Sequence, residues 1–403
     1  MRYSRRGYRR QVQGGAVEVP VAPAPRDPAL VPHDAAESRA SGPLEERGPG
    51  PRTPVRKLVL VMLGLTVVVV AFITSYASAL GKPSPRHVPV AVSAPPAVLG
   101  QLDASPQLRV YPVPGLARAR SMVEDRTAYG ALLLPRTGPA TLLVANGGGH
   151  SVAAVLMQVG QQVATSRGTT LTTVDVAPTS PNDPDGTAEF YCVAFLFLGG
   201  AIGATVLGRV AGPVRGLRGA LERLGLVVAY AASLSVVVTL FADVALGDLV
   251  GHFGLLFLTL WLFVVAVCLA VTGLSALVGP VSIVLILVSI TLGNPSSGGP
   301  VPRPLLNGFY SGLNPVMPQG AALSVVRGVQ YFGDRGVDLG LLCLLIWALT
   351  GLGLLGATVF RDAFRTWPSG SLRRPAVPGS GRAIVASASD PSSRDWCADR
   401  GRI

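Results

Sequence analysis

The chain has 403 residues, of which 49% are hydrophobic and only 14% are charged. Soluble domains average about 25% charged residues, so this shortage of charge indicates an integral membrane protein rather than a soluble one. The formal net charge is +12, but the arginines are not clustered on a soluble domain, and we therefore expect no nucleic-acid partner.

The N-terminal segment, residues 1–57, is rich in Pro, Gly, Ala and Arg and has no apolar periodicity. Such a composition buries too little apolar surface to offset the entropy of ordering, so we expect a disordered basic tail. Its arginines either bind anionic lipid or only fix the orientation of the chain. Residues 361–403 have a similar composition and are expected to form a second disordered tail.

Six apolar runs are close to the length of about 20 residues that a helix needs to cross a bilayer. Their only charge is Asp243, and backbone groups in lipid must be paired within their own segment, so we expect six transmembrane helices. The first run is too long and too far from the N-terminus for a cleaved signal peptide, and we expect it to be retained. The runs are residues 58–80, 190–208, 225–246, 253–272, 277–293 and 339–360, with a tight hairpin turn at 273–276.

The distribution of basic residues predicts the orientation. With the N-terminus inside, 23 Lys and Arg residues fall on the cytoplasmic side and 11 fall outside. Positive charge accumulates on cytoplasmic loops, so we expect both termini in the cytoplasm of a multi-pass plasma-membrane protein.

Residues 81–189 are numerous enough for a small folded domain on the outer face. After a Pro-rich stalk at 82–96, helical and strand-like patterns alternate, which predicts an extracytoplasmic α/β domain between the first and second helices. Ser151 is expected to cap the second helix. The expected strands are 108–113, 130–134, 141–145 and 171–176, and the expected helices are 116–126 and 151–166.

No catalytic site is visible in the sequence. The Gly-rich turn at 146–150 could present amides to an anion, but a flexible strand-to-helix turn is the favoured interpretation. The only lysines, Lys57 and Lys82, are followed by Leu58 and Pro83, so the chain has no P-loop. The four cysteines form no zinc or disulfide pattern. We therefore predict no enzyme, no metal and no cofactor in this chain.

The loop at 209–224 carries apolar residues at helical spacing, with arginines elsewhere on its surface. It is either a helix that docks a cytoplasmic partner or a positively charged anchor loop. The docking candidates are Val214, Arg215, Leu217, Arg218 and Leu221.

Small residues in the second run permit close approach of helix backbones, either within the bundle or in a dimer. These helix-packing candidates are Gly199, Gly200, Gly203 and Gly208. Asp243 lies near the end of its run, so we favour a position at the outer rim of the membrane over a role in proton relay.

The loop at 294–338 is rich in Pro and Gly and then resumes apolar periodicity in two pieces. It predicts two short helices on or in the outer leaflet, with Pro318 in the first turn of the second helix. The candidates in this outer re-entrant loop are Asn294, Pro295, Pro318, Tyr331 and Phe332.

This order of one helix, an outer domain and five helices resembles the membrane subunit (permease) of type-2 ABC transporters, in particular the branch similar to the phage-infection-protein family. The resemblance covers about residues 55–365 and is carried by 125–134, 185–200, 293–299, 314–322 and 330–332. It implies that the loop at 209–224 touches a separate ATPase and that 294–338 forms outer re-entrant helices. It supplies no catalytic residues.

The sequence and the resemblance together favour an export permease that moves a lipophilic compound, lipid or envelope component outward. Its expected partners are a separate ABC ATPase that uses ATP, membrane lipids, and a second copy or related permease in a homodimer or heterodimer. The alternative is an envelope scaffold, receptor or secretion-accessory protein that acts through its outer domain without transporting.

Overall fold

A computed structural model describes residues 55–366. The tails predicted at 1–57 and 361–403 lie mainly outside the described residues, although residues 55–57 and 361–366 prove to be helical. The described part is mostly helical and contains one five-stranded sheet. The helices are α1 (Val55–Leu80), α2 (Pro96–Asp103), α3 (Leu116–Glu124), α4 (His150–Ser166), α5 (Ala188–Val210), α6 (Gly216–Leu240), α7 (Phe253–Val278), α8 (Ser282–Ser296), α9 (Gly308–Leu313), α10 (Pro318–Tyr331) and α11 (Asp338–Thr366).

Five stretches of the described chain are helical, long and apolar enough to cross a bilayer, as expected of a multi-pass membrane protein. They are Val55–Leu80, Ala188–Val210, Gly216–Ala245, Phe253–Ser296 and Asp338–Arg361. The fourth stretch contains two of the six predicted runs, now seen as α7 and α8.

The sequence predicted a turn between α7 and α8 at residues 273–276, and this prediction is wrong. Helix α7 continues to Val278, and the break falls at Gly279 and Pro280. Gly279 has φ +62° and ψ −134°, a conformation that favours glycine and departs from the helix, and Pro280 has no N–H to donate. Gly273 instead allows close packing, because a Cβ there would lie 2.5 Å from the carbonyl oxygen of Gly351 on α11.

Residues 209–224 do not form one amphipathic helix, which was one of the two interpretations of this loop. Helix α5 ends at Val210, a turn follows, and α6 begins at Gly216. Gly212 and Gly216 both have positive φ and Pro213 stands between them, so these residues interrupt the helix. The apolar stripe is thus divided between the end of one long helix and the start of the next.

Helix α6 finishes in a π-helical turn, Phe241–Ala245, that contains Asp243. Asp243 is half-buried and near the helix end, in line with its predicted position.

The strands of the sheet are β1 (Val88–Ser93), β2 (Leu108–Pro112), β3 (Gly130–Leu133), β4 (Ala140–Val144) and β5 (Leu171–Asp175). Their order across the sheet is β2-β1-β3-β4-β5. Strands β3 and β4 form an antiparallel hairpin, and the other neighbours are parallel. The four predicted strands are all present, and so are the two predicted helices, α3 and α4.

The predicted Pro-rich stalk at 82–96 instead contains β1, an interior strand of the sheet. Pro89 weighed against a strand there, because proline cannot donate to a sheet ladder. It is tolerated since it is the second residue of β1, and pairing with β3 begins only at Val90.

Alternating strand residues build one apolar core on each face of the sheet. Val90, Leu132 and Leu142 belong to the core beneath α4, while Ala131 and Leu143 belong to the core beneath α3. In the helical bundle, α7 is central, with Leu260, Phe263 and Val267 buried against its neighbours.

Candidate functional site at the junction of sheet and helices

The loop at 294–338 completes the sheet domain. Leu305 and Leu306 are buried in the core beneath α4, whereas Phe332 is buried in the core beneath α3. The amides of Ser84 and Arg86 donate to the carbonyls of Leu305 and Pro304 at 3.2 and 3.0 Å. The loop thus supplies side chains to both cores, which ties the sheet to the membrane helices on either side of the loop.

The Gly-rich turn at 146–149 is a packing surface for this loop. A Cβ on Gly147 would overlap the ring of Tyr331, and a Cβ on Gly148 would lie 3.3 Å from the ring of Phe332. Gly149 has φ +138° and faces Pro302. The aromatic rings therefore fill the space that side chains would occupy.

Neighbouring polar groups hold the turn in place. Asn146 donates from Nδ2 to Oδ2 of Asp175 at 2.8 Å, at the end of β5. Helix α4 begins at His150 with Gly149 as its N-cap, so the expected Ser151 cap is wrong. Ser151 Oγ instead donates to the carbonyl of Pro300 at 3.3 Å, which is a further contact with the loop.

Arg126 reaches from the end of α3 to α10. Its Nη1 donates to the carbonyl of Ser324 at 2.8 Å, its Nη2 to Ser324 Oγ at 3.1 Å, and its guanidinium lies 5.3 Å from the centre of the Phe332 ring. Burial disfavours the charged form and lowers the pKa of Arg126 to about 10. The charge is thus held by carbonyls and an aromatic face.

Arg327 and Glu189 form a buried ion pair between α10 and the start of α5. The Nε of Arg327 donates to Oε1 of Glu189 at 2.9 Å, and the side chains are 7% and 1% exposed. Arg327 also donates to the carbonyls of Gly298, Gly299 and Gly186. Four hydrogen bonds from the guanidinium therefore hold the loop at 294–338 and the start of α5 together, which fixes α10 against α5.

Sequence reasoning missed Arg126, Glu189 and Arg327. One signal was present, because Arg327 is the only charged residue between Pro318 and Phe332. A lone charge in a strongly apolar helix is usually paired, although its partner, 138 residues earlier, could not be read from the sequence.

A cavity of about 420 Å³ lies among these groups. Its wall carries three arginines and two carboxylates, so a polar or anionic group fits it better than an apolar one. The charged residues at its wall are Arg126, Arg303, Arg327, Asp125 and Asp338.

The candidates in the outer loop meet at the same junction. Asn294 and Pro295 are buried in the last turn of α8, and Pro318 is in the first turn of α10, as predicted. Tyr331 and Phe332 follow at the other end of α10. However, α10 is not a surface helix, since nearly all its residues from Pro318 to Val329 are buried. Its place among α5, α7, α8 and α11 makes it the connection between bundle and sheet.

The glycine candidates pack within this chain. Gly199 and Gly203 face α6, where a Cβ at Gly203 would overlap the ring of Tyr230. The Tyr230 hydroxyl donates to the carbonyl of Gly199 at 2.8 Å. Gly200 faces α7, and Gly208 lies beside Arg223 on α6. Packing within the bundle therefore explains the small residues.

The docking candidates lie at the far end of the bundle from the sheet. Val214 and Arg215 belong to the turn before α6, while Leu217, Arg218 and Leu221 occupy its first turns. Leu217 and Leu221 are 68% and 58% exposed. They line an apolar groove of about 440 Å³ whose other wall is the end of α11, including Leu352 and Phe360.

Comparison with known proteins finds no family model, no curated protein and no solved structure that matches this chain.

Proposed function

We propose that the chain is the membrane subunit of an ABC-type exporter, with a separate ATPase bound at the end of the bundle where α5 passes into α6. In this proposal the chain crosses the plasma membrane six times, with α7 and α8 as separate passes, the sheet domain outside and both termini in the cytoplasm. It works as a homodimer or with a related permease and moves a lipophilic compound, lipid or envelope component outward.

The observation that carries the proposal is the exposed apolar groove between α6 and α11. Leu217 and Leu221 face outward next to two arginines, Arg215 and Arg218, at a helix end. Apolar anchors with a charged border suit a protein partner. The chain has no P-loop of its own, so an exporter built on it needs that partner to bind ATP.

The test is capture of an ATPase encoded beside this gene by the full-length protein in detergent. Wild type is expected to retain the ATPase, and the double variant Leu217→Asp, Leu221→Asp is expected to lose it. Val210→Asp is the matched control, because Val210 is 82% exposed at the same end but lies outside the groove. Equal capture by wild type and the double variant would overturn the docking proposal.

The second candidate is a scaffold or receptor that acts through the sheet domain. The observation that favours it is the packing of the loop at 294–338, which supplies side chains to both cores of the sheet domain. Deletion of residues 81–189 is a poor test, since it would uncover Phe332 and Leu305. A cleaner test places negative charge on the exposed surface of α3 in the double variant Leu116→Glu, Arg118→Glu. An exporter is expected to retain efflux in this variant, whereas a receptor that uses this surface is expected to lose its partner.

A further inference from the structure

A second cleft, of about 510 Å³, lies between the ends of α5, α7 and α11 and the starts of α6 and α8. Its wall carries three arginines and five hydroxyl side chains, and no carboxylate of the described residues lines it. The arginines are Arg209, Arg223 and Arg361, and the hydroxyls include Thr272, Ser275, Ser282 and Thr358. This composition is that of an anion site.

Arg223 is the deepest of these arginines. It is 4% exposed, and its one hydrogen bond within the described residues runs from Nη2 to the carbonyl of Gly212 at 2.7 Å. No described carboxylate lies within ion-pair distance of it. A buried guanidinium without a counter-ion is costly, so an anion bound in the cleft would stabilise Arg223.

Two further observations point into the same cleft. The hydroxyl of Thr272 is buried and has no hydrogen-bond partner in the described residues. Gly208 faces the guanidinium of Arg223, since a Cβ at this position would lie 3.7 Å from Arg223 Nη1. An oxyanion would satisfy both groups.

The position of the cleft identifies the source of the anion. The residues of α5 that line the cleft, Ala204 to Arg209, lie about 24–32 Å along this helix from its first residue, so the cleft opens at the end of a hydrocarbon core of about 30 Å. Lipid headgroups lie at that depth. The neighbouring side chains of Val206, Ile283 and Val284 are 51%, 40% and 58% exposed and offer an apolar surface to acyl chains.

We propose that this cleft binds the phosphate headgroup of an anionic phospholipid, with Arg223 as its buried ligand and Arg209 and Arg361 at its mouth. Basic pockets between helices are a known form of headgroup recognition. The site does not depend on export, since it requires only a membrane protein.

The test is displacement of a fluorescent short-chain phosphatidylglycerol from the full-length protein in detergent. Unlabelled phosphatidylglycerol is expected to displace it, and phosphatidylcholine of equal chain length to be at least about tenfold weaker. Arg223→Gln is expected to weaken binding about tenfold, whereas Arg136→Gln, which removes an exposed arginine from the sheet domain, leaves it unchanged.

Inorganic phosphate distinguishes the sources of the anion. Displacement by phosphate as effective as by phosphatidylglycerol would support the anion site but contradict the lipid assignment. If Arg223→Gln does not fold, the double variant Arg209→Gln, Arg361→Gln replaces it, because both residues are exposed, and it is expected to bind about tenfold more weakly. Binding equal to wild type in the folded variant, or equal displacement by phosphatidylcholine, would overturn the proposal.

Discussion

Arg327 donates to Glu189 across 2.9 Å in a region where both side chains are almost completely buried. The pair joins α10, which is part of the loop at 294–338 that completes the sheet domain, to the first turn of α5, which follows the sheet in sequence. The start of α5 is therefore fixed against that loop.

Removing one partner of this pair leaves the other charge buried. Glu189→Gln and Arg327→Gln are each expected to destabilise the fold by about 3–5 kcal/mol, and the double variant by less than their sum. Thermal unfolding in detergent measures the effect. The exposed pair Arg218 and Glu222 is the control, with an expected cost of about 0.2–1 kcal/mol. Additive effects of the buried substitutions would contradict direct coupling.

The glycine turn is expected to tolerate no side chain at Gly147. In Gly147→Ala the Cβ overlaps the ring of Tyr331, and overpacking of this kind costs about 1–3 kcal/mol. Gly100→Ala is the matched control, because nothing lies within 4 Å of its added Cβ. Hydrogen exchange should show faster exchange in β4 and α10 of Gly147→Ala only. Unchanged exchange would mean that the sheet does not depend on this contact.

Close packing of α5 on α6 is expected to depend on Gly203. Gly203→Ala places a Cβ in the Tyr230 ring and displaces the hydroxyl from the Gly199 carbonyl, which should lower the unfolding midpoint. Gly353→Ala adds the same methyl to α11 with nothing within 4 Å. An unfolding midpoint equal to that of Gly353→Ala would show that α6 can shift away from the added methyl without loss of stability.

The ion pair between Glu124 on α3 and Arg335 in the loop at 294–338 is expected to depend on pH. Hydrogen bonds from Arg120 and Arg335, at 2.7 and 3.0 Å, lower the pKa of its carboxyl from the ordinary value of 4.5. Because the folded-state pKa is the lower one, the stabilisation is complete above pH 4.5 and is lost as the pH falls through the folded-state value. Glu124→Gln should cost about 0.2–1 kcal/mol at pH 7 and nothing in strong acid. A difference from wild type that stays constant with pH would contradict this.

Orientation is testable in a background without cysteine. Gln101 is exposed in α2 and Arg218 is exposed in α6. An impermeant maleimide is expected to label Gln101→Cys in intact cells and Arg218→Cys only after the membrane is opened. The reverse pattern would place the sheet domain in the cytoplasm and remove the basis for ATPase docking.

The apolar runs and most strands were predictable because their signals are local. A run such as 58–80 must satisfy its backbone within itself, so its sequence alone indicates a helix. The short, nearly continuous apolar run at 141–145 likewise indicates a buried strand. Strand β1 was not predicted, because Pro89 locally disfavours a strand. Its pairing with β2 and β3, which the sequence does not show, stabilises it.

The candidate site was predictable only in part. The loop at 294–338 was recognised as helical with Pro318 at a helix start, but its burial was not, since burial of α10 depends on four other helices. The Gly-rich turn was correctly expected to be structural, but only the folded chain brings Tyr331 against Gly147.

The sequence by itself thus determined that a long apolar helix, a small α/β domain and several more apolar helices follow one another along this chain. It could do so because backbone hydrogen bonding and side-chain periodicity act over a few residues. Only the tertiary structure decided that Phe332 completes a core begun at Ala91 and that Arg327 meets Glu189. These contacts join segments well over a hundred residues apart, and their free energy exists only once both surfaces have been brought together and water has been excluded.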